Sequence, residues 1–371
     1  MTDTLKKKVS FGITATLVAA FALIVPSQAA AVPRAPSGYL NVMPQEAVGE
    51  ADLARMARGN VKTVRYSMSW ELVQPANRNS FDWGYFDLLF EAAASNGIRI
   101  LPSLYYTPKW VASKPTTLPV KSSRALADWQ AFVRAAVERY GRSGDFWKEH
   151  GPQSTDPLPK LPVQRWMIWN EPNFFYFADP VSPTDYGRLL NASATAIRGA
   201  DSSAKIMIGG LFARPLGPPK KALSAAKFVD QMMKTAKKSS FDLVALHPYT
   251  PGLNQLKLVL EEFEGALSRK GLSSKKMVIS EIGWASGPKT NAFSTGSKQA
   301  QAKKLTEAFT LLIRDRNKYR IDSVYWFTWK DLPEGVPACN MCTTIGLFEA
   351  REKLVAKPAW QAFVKFTGGR A

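Results

Sequence analysis

The chain has 371 residues, 46% of them apolar and 21% charged, a balance that supports a large buried core and excludes an extended disordered protein. The formal charge is +19, from 49 Lys and Arg against 30 Asp and Glu. This attracts polyanions such as acidic polysaccharide, wall polymers or anionic lipid, although the Lys-rich stretches also read as solvent faces of helices.

Two His and two Cys leave little from which to build a metal centre, since a zinc site needs about four ligands. No metal and no cofactor are expected. No nucleic-acid motif accompanies the charge, so nucleic acid is not an expected partner.

Lys6, Lys7 and Lys8 precede an uncharged apolar run from Val9 to Val25, and small residues follow at Ala29, Ala30 and Ala31. This pattern reads as a secretory signal peptide over residues 1–31, removed before the protein works. A retained membrane anchor is the rival reading, because the run approaches the length of a span. The expected product is residues 32–371, carrying about +17: a monomer, secreted or held at the cell envelope, with no stable membrane insertion. In an oxidising compartment Cys339 and Cys342 can close a short disulfide ring.

Eight short runs rich in β-branched and aromatic residues follow, at 39–43, 61–66, 98–104, 163–169, 206–210, 241–246, 277–282 and 323–329. Runs apolar on both faces suit a parallel sheet covered by helices. Helical periodicity fills the gaps at 46–58, 85–96, 125–140, 183–200, 225–237, 256–269, 298–317 and 358–365. Ser182 before Pro183 is a start signal, and Gly97 and Gly271 are stops. Eight such alternations predict a single (β/α)₈ barrel, a TIM barrel, of class α/β. A doubly wound open sheet is weakened by the lack of a Gly-rich phosphate loop after the first strand. The Pro- and Gly-rich stretch 141–162 reads as structural trim on the face opposite the active site.

Active sites of such barrels lie at the C-terminal strand ends. Here those ends carry Arg65, Tyr105, Asn170, Glu171, His247, Tyr249, Glu281, Trp326 and Trp329. Two carboxylates among a guanidinium, an amide, an imidazole and several rings is the set that glycoside cleavage needs. One carboxyl group donates a proton to the leaving oxygen, and an ionised one attacks the anomeric carbon. Aromatic faces stack on sugar rings. Trp169-Asn170-Glu171-Pro172-Asn173 is the strongest signal, and an exposed turn is its bland alternative. Glu281 closes an apolar strand just before Gly283-Trp284.

These segments resemble clan A of the glycoside hydrolases, which are retaining TIM-barrel enzymes. Val64-Arg65-Tyr66, His247-Pro248-Tyr249, Tyr325-Trp326-Phe327 and Lys357-Pro358-Ala359-Trp360 extend the likeness over most of the chain. Thr107-Pro108-Lys109-Trp110 and Gly144-Asp145-Phe146-Trp147 are most like family 39 and its exopolysaccharide-cutting relatives. The resemblance implies Glu171 as acid/base on the fourth strand and Glu281 as nucleophile on the seventh, about 5–5.5 Å apart. It implies that Arg65 and Tyr249 orient Glu281, that Asn170 binds a sugar hydroxyl, and that Trp326 is the platform under the reacting sugar. Trp329 would pack below the site. Trp284, Tyr105 and Trp110 are candidates for neighbouring sugars, with core packing as the alternative. His247 would bond a sugar hydroxyl or hold its loop.

The implied activity is hydrolysis of O-glycosidic bonds, of β configuration, in a polysaccharide or oligosaccharide, with an acidic one among the candidates. The alternatives are a carbohydrate-binding barrel without catalysis and a transglycosylase.

Overall fold

Every strand in the sheet runs parallel to its neighbours, and the last pairs with the first. The computed structural model describes residues 33–371 except 219, 290, 334, 336–338, 340 and 352, so the signal peptide expected at 1–31 lies outside the described residues. The strands are β1 (Leu40–Met43), β2 (Thr63–Ser69), β3 (Arg99–Tyr105), β4 (Arg165–Ile168), β5 (Lys205–Ile208), β6 (Leu243–His247), β7 (Lys276–Ile282) and β8 (Ile321–Phe327). They pair in chain order, with Met207 of β5 opposite Leu243 of β6 and Val42 of β1 opposite Trp326 of β8. After Gly209-Gly210, the pair Leu211–Phe212 continues the line of β5 alongside Leu246 and His247. This is the eight-stranded (β/α)₈ barrel.

Among the described residues, the helices of eight residues or more are α1 (Glu50–Arg58), α2 (Gly84–Ser95), α3 (Ser123–Tyr140), α4 (Pro183–Ala200), α5 (Ala225–Met232), α6 (Leu253–Arg269), α7 (Lys298–Arg314) and α8 (Pro358–Thr367). Serine hydroxyls at 122, 182, 224 and 297 each accept a backbone N–H three residues on, which satisfies a donor that the first helical turn leaves orphaned. The two largest departures from the periodicity are the start of α1 and the end of α5. α1 begins at Glu50 because the Asp52 carboxylate accepts the N–H of Gly49 and closes the first turn there. α5 stops at Met232, where the Thr235 hydroxyl donates to carbonyls of Thr184 and Met232. The stretch 141–162 contains a short helix, Asp145–Glu149, whose Phe146 and Trp147 are buried.

Strand parity decides what reaches the barrel axis. Met43, Leu101, Met167, Met207, Ala245, Val278, Tyr325 and Phe327 share the inner cluster. Val42, Val64, Ile100, Ile168, Ile206, Val244, Ile279 and Trp326 belong to the larger layer beneath the helices. The parity breaks where β7 meets β8, at a first register shift between Met277 and Val278 and at a second one further along, between Ile279 and Ile282. Such a bulge re-aims a side chain, and here it brings Glu281 to the inside while Ile279 and Ile282 both stay outside.

The long loop after β8 is fastened to the top of the barrel. Lys357, with a fully buried side chain, pairs with Asp331 at 2.7 Å and also reaches the carbonyl of Thr344. Burial moves Asp331 up and Lys357 down, each against the pull of its partner, so desolvation outweighs attraction in this pair. Gln301 donates to the carbonyls of Trp284 and Ile345 beside it. Within the loop, Cys339 and Cys342 are joined by a disulfide. Lys357→Met leaves the Asp331 charge buried without its cation and is expected to lower stability by about 3–5 kcal/mol. Adding Asp331→Asn should recover part of that loss. Urea unfolding checks both, and an unchanged midpoint for the single variant contradicts the assignment.

Candidate active site

Arg65 lies on β2 with its side chain wholly inside the barrel. A buried guanidinium needs partners for its five N–H donors. Nη1 donates to Glu281 Oε1 at 2.5 Å and Nη2 to Asn170 Oδ1 at 2.6 Å. Longer contacts reach Ser103 Oγ, the Ser280 carbonyl and Met167 Sδ. The ends of β2, β3, β4 and β7 are thereby tied to one group.

Glu281 also accepts from Tyr249 Oη on its second oxygen, at 2.8 Å. Both oxygens are held by donors, one of them charged, which is how an anionic carboxylate is fixed in place. Glu171 is held differently. His247 Nδ1 lies 2.7 Å from its Oε1, and among the described residues Oε2 has no protein partner. The same His247 Nδ1 lies 3.5 Å from Glu281 Oε2.

Burial, and then the charge of Glu281, push the Glu171 carboxyl well above the ordinary carboxylate range, with Arg65 pulling the other way. Burial and then Arg65 push His247 well below its usual value. A neutral imidazole with its proton on Nδ1 donates to Glu171. Nε2 is buried without a partner, and a lone pair there is tolerated better than an unpaired N–H. Gly210 makes room for the ring, because a Cβ at this position would stand 1.9 Å from Nε2.

Carboxylate oxygens of Glu171 and Glu281 and a His247 nitrogen all lie within 4.8 Å of one another. Such a trio could offer ligands to a cation. However, Arg65 already neutralises Glu281 and His247 Nδ1 is engaged by Glu171, which fits proton transfer better than metal binding. The backbone around Asn170 is strained: Trp169 has φ 69° and Glu171 φ 39°, in the left-handed region that side chains disfavour. The Glu171 N–H donates to the Gly210 carbonyl, and Asn173 bonds the backbone of Phe212 and Leu223. Those bonds hold the turn.

Glu171, Glu281, Arg65, Asn170, His247 and Tyr249 thus come together. The expected roles of several residues need correction. Trp326 is no platform: its ring is fully buried between the barrel and α7, against Phe309 and Trp284. Trp284 is sealed in the same layer, its indole N–H donating to the Thr250 carbonyl. His247 is 0% exposed and bonds Glu171 in place of a sugar hydroxyl, while Arg65, equally buried, bonds Glu281. Tyr105 faces inward, but its hydroxyl is taken by Ser67. Trp110 is partly buried and bonds the Gln74 carbonyl. The ring near the carboxylates on β8 is Phe327, edge-on to Tyr249 at 6.2 Å between centroids. Phe212 and Phe293 also pack on Tyr249. Counting alternate residues from Tyr325 picks out Phe327. Ser103 and Gly210 carry no such signal.

A glycoside hydrolase family 42 model, described as beta-galactosidase, matches residues 39–137. No curated protein matches the chain. Among solved structures, a family 39 glycoside hydrolase from Bacteroides cellulosilyticus WH2 superposes with a TM-score of 0.62 at 20% identity, covering 90% of this chain and 64% of that one. This chain therefore spans less than two thirds of that enzyme. A monomeric beta-xylosidase from Caulobacter crescentus CB15 also gives 0.62, at 17% identity, covering 89% of this chain and 69% of that one. Xylanase 10B from Thermotoga petrophila RKU-1, solved with xylobiose, gives 0.58 at 14% identity, with 90% and 94% covered. The chain has the barrel fold of these enzymes. The likeness to clan A and to family 39 carried by the motifs is thus met by fold as well.

A carboxyl group whose folded pKa is raised contributes stability below its unfolded pKa, and this is lost as pH rises through the folded value. Glu171 therefore costs stability in neutral and alkaline solution. Glu171→Gln keeps an acceptor for His247 and removes the charge, so it should melt higher than the parent at pH 8, with the difference shrinking toward pH 4. Thermal melts across that range test this. A Gln variant no more stable at pH 8 than at pH 4, relative to the parent, contradicts it.

Proposed function

We propose that the protein is a retaining glycoside hydrolase acting on a β-linked polysaccharide or oligosaccharide, with Glu171 as acid/base and Glu281 as nucleophile. The observation that carries this reading is the short separation of the two carboxylates, within 4.8 Å between oxygens. Retaining enzymes need about 5–5.5 Å between carboxyl groups, and inverting enzymes about 6.5–9.5 Å to admit a water.

The two acids are also differentiated as the reaction requires. Glu171 is kept protonated by burial and by its neighbour's charge, and Oε2 is free to donate to the leaving oxygen. Glu281, aimed by Arg65 and Tyr249, attacks the anomeric carbon and forms a glycosyl ester. Glu171, now a base, takes a proton from water, and the ester is hydrolysed with net retention. Transfer of the negative charge from Glu281 to Glu171 during the first step exchanges which carboxylate the buried Arg65 and His247 must accommodate.

Similar folds include a β-xylosidase, an exo-β-1,4-mannosidase and a xylanase, so neutral β-linked sugars are the first class to test. The signal-like start supports a working protein outside the cell or at its envelope. The non-catalytic alternative has less support, because both carboxylates and their donors are assembled.

Glu281→Gln should reduce turnover of aryl β-glycosides by on the order of 10³-fold or more. Glu171→Ala should spare substrates with strongly acidic phenol leaving groups and lose most activity on poor ones, since only the latter need protonation. NMR of the first-formed product should show the β anomer. An α product, or undiminished turnover by Glu281→Gln, would falsify the mechanism.

A further inference from the structure

The barrel has a second polar concavity, at the end opposite the carboxylates. It encloses ≈ 420 Å³ among the N-terminal strand ends and is lined by Arg99, Arg165, Lys276 and Arg316, with Asp322 as the carboxylate among its lining residues. Parallel topology produces this crowding. β3, β4, β5 and β7 each begin on a cation, and β2 and β8 each follow one, Lys62 and Arg320. All six therefore meet at one rim. Arg165 and Lys205 are directly opposed in the β4–β5 ladder, where like charges are unfavourable.

The carboxylates nearby balance only part of this charge, and Arg320 is paired with Glu264. Asp322 is engaged by Arg165. Asp242, before β6, is taken by Arg198 and the N–H of Ile206. Arg316 bonds a peptide carbonyl, that of Ile313. Among the described residues, the side chains of Arg99 and Lys276 meet no carboxylate, and both are exposed. Nothing in the catalytic reading uses these groups.

The rest of the lining indicates what the cations would hold. Ser37, Thr63, Gln164 and Asn317 line the same space and suit hydroxyl groups. Its two aromatic rings, Tyr39 and Tyr325, are 3% and 2% exposed, so they offer no face for stacking a nucleic-acid base. Guanidinium groups match the planar oxyanion of a carboxylate or the oxygens of a phosphate. We propose that this cavity is a second glycan site, which binds the oxyanion of an acidic saccharide unit and tethers the enzyme to an anionic polymer while the opposite face stays free. The proposal goes beyond the hydrolase reading and does not depend on it.

The test is calorimetric titration of the full chain, at low salt, with polygalacturonate as carboxylate probe, a phosphomannan as phosphate probe and neutral xylan as control. Arg99→Glu with Lys276→Glu should weaken binding of an acidic polymer roughly tenfold or more. Lys227→Glu with Lys303→Glu, which removes the same charge from α5 and α7, should leave it within about twofold. Whichever of the two acidic probes binds tighter identifies the anion. Aryl glycoside turnover and melting temperature should not change in the rim variant, so loss of the site and failure of the catalytic assignment are separable. Equal weakening by both double variants, or no binding of either acidic polymer, would overturn the proposal. An RNA oligonucleotide bound as tightly as the better glycan, and lost in the same rim variant, would overturn the saccharide assignment.

Discussion

A guanidinium with no access to water sits at the centre of this barrel, and the arrangement of the catalytic end follows from it. Isolated in an apolar interior, the Arg65 charge would be prohibitively costly. It persists because Glu281, Asn170 and Ser103 converge on it from three other strands. The same contacts set the position of the Glu281 carboxylate and the Asn170 amide. Packing could be varied around this knot more readily than the knot itself, since removal of any partner leaves a buried polar atom unsatisfied.

The two glutamates are chemically identical residues in nearly one place, made unlike by their donors. Glu281 receives a full positive charge and a hydroxyl. Glu171 receives a neutral imidazole and sits against its neighbour's charge. One site therefore holds two unlike carboxyl groups together, and burial of Glu171 is set against folding stability. Strain in the Trp169–Glu171 backbone is part of the same trade, as is usual where function dictates geometry.

Much of this was legible in the chain. Strand count and helix count follow from hydrophobic period, and Glu171 and Glu281 stand at strand ends that the period locates. The likeness to clan A implied Arg65 and Tyr249 as partners of Glu281, and both bond it in the structure. The aromatic assignments failed for a physical reason: strand-end location alone says nothing of face. Parity sends Trp326 outward and Phe327 inward, and a bulge in β7 sends Glu281 inward where simple alternation from Val278 would not. Bulges come from the pairing of two strands, so they leave no mark on either one. The contacts of His247 were hidden likewise, since a histidine at a strand end looks the same whether it meets a sugar or a carboxylate.

Gly210 shows how far such a site reaches into residues with nothing to contribute chemically. Its backbone is not in the left-handed region, so its identity is a matter of space: the imidazole occupies the volume where a methyl group would be. Every codon change that alters this amino acid adds at least that methyl. Any other residue at position 210 must therefore displace the His247 ring. A hydrogen atom there is as restrictive as a nucleophile, and a saturation scan scored on catalysis would rank this glycine beside the glutamates.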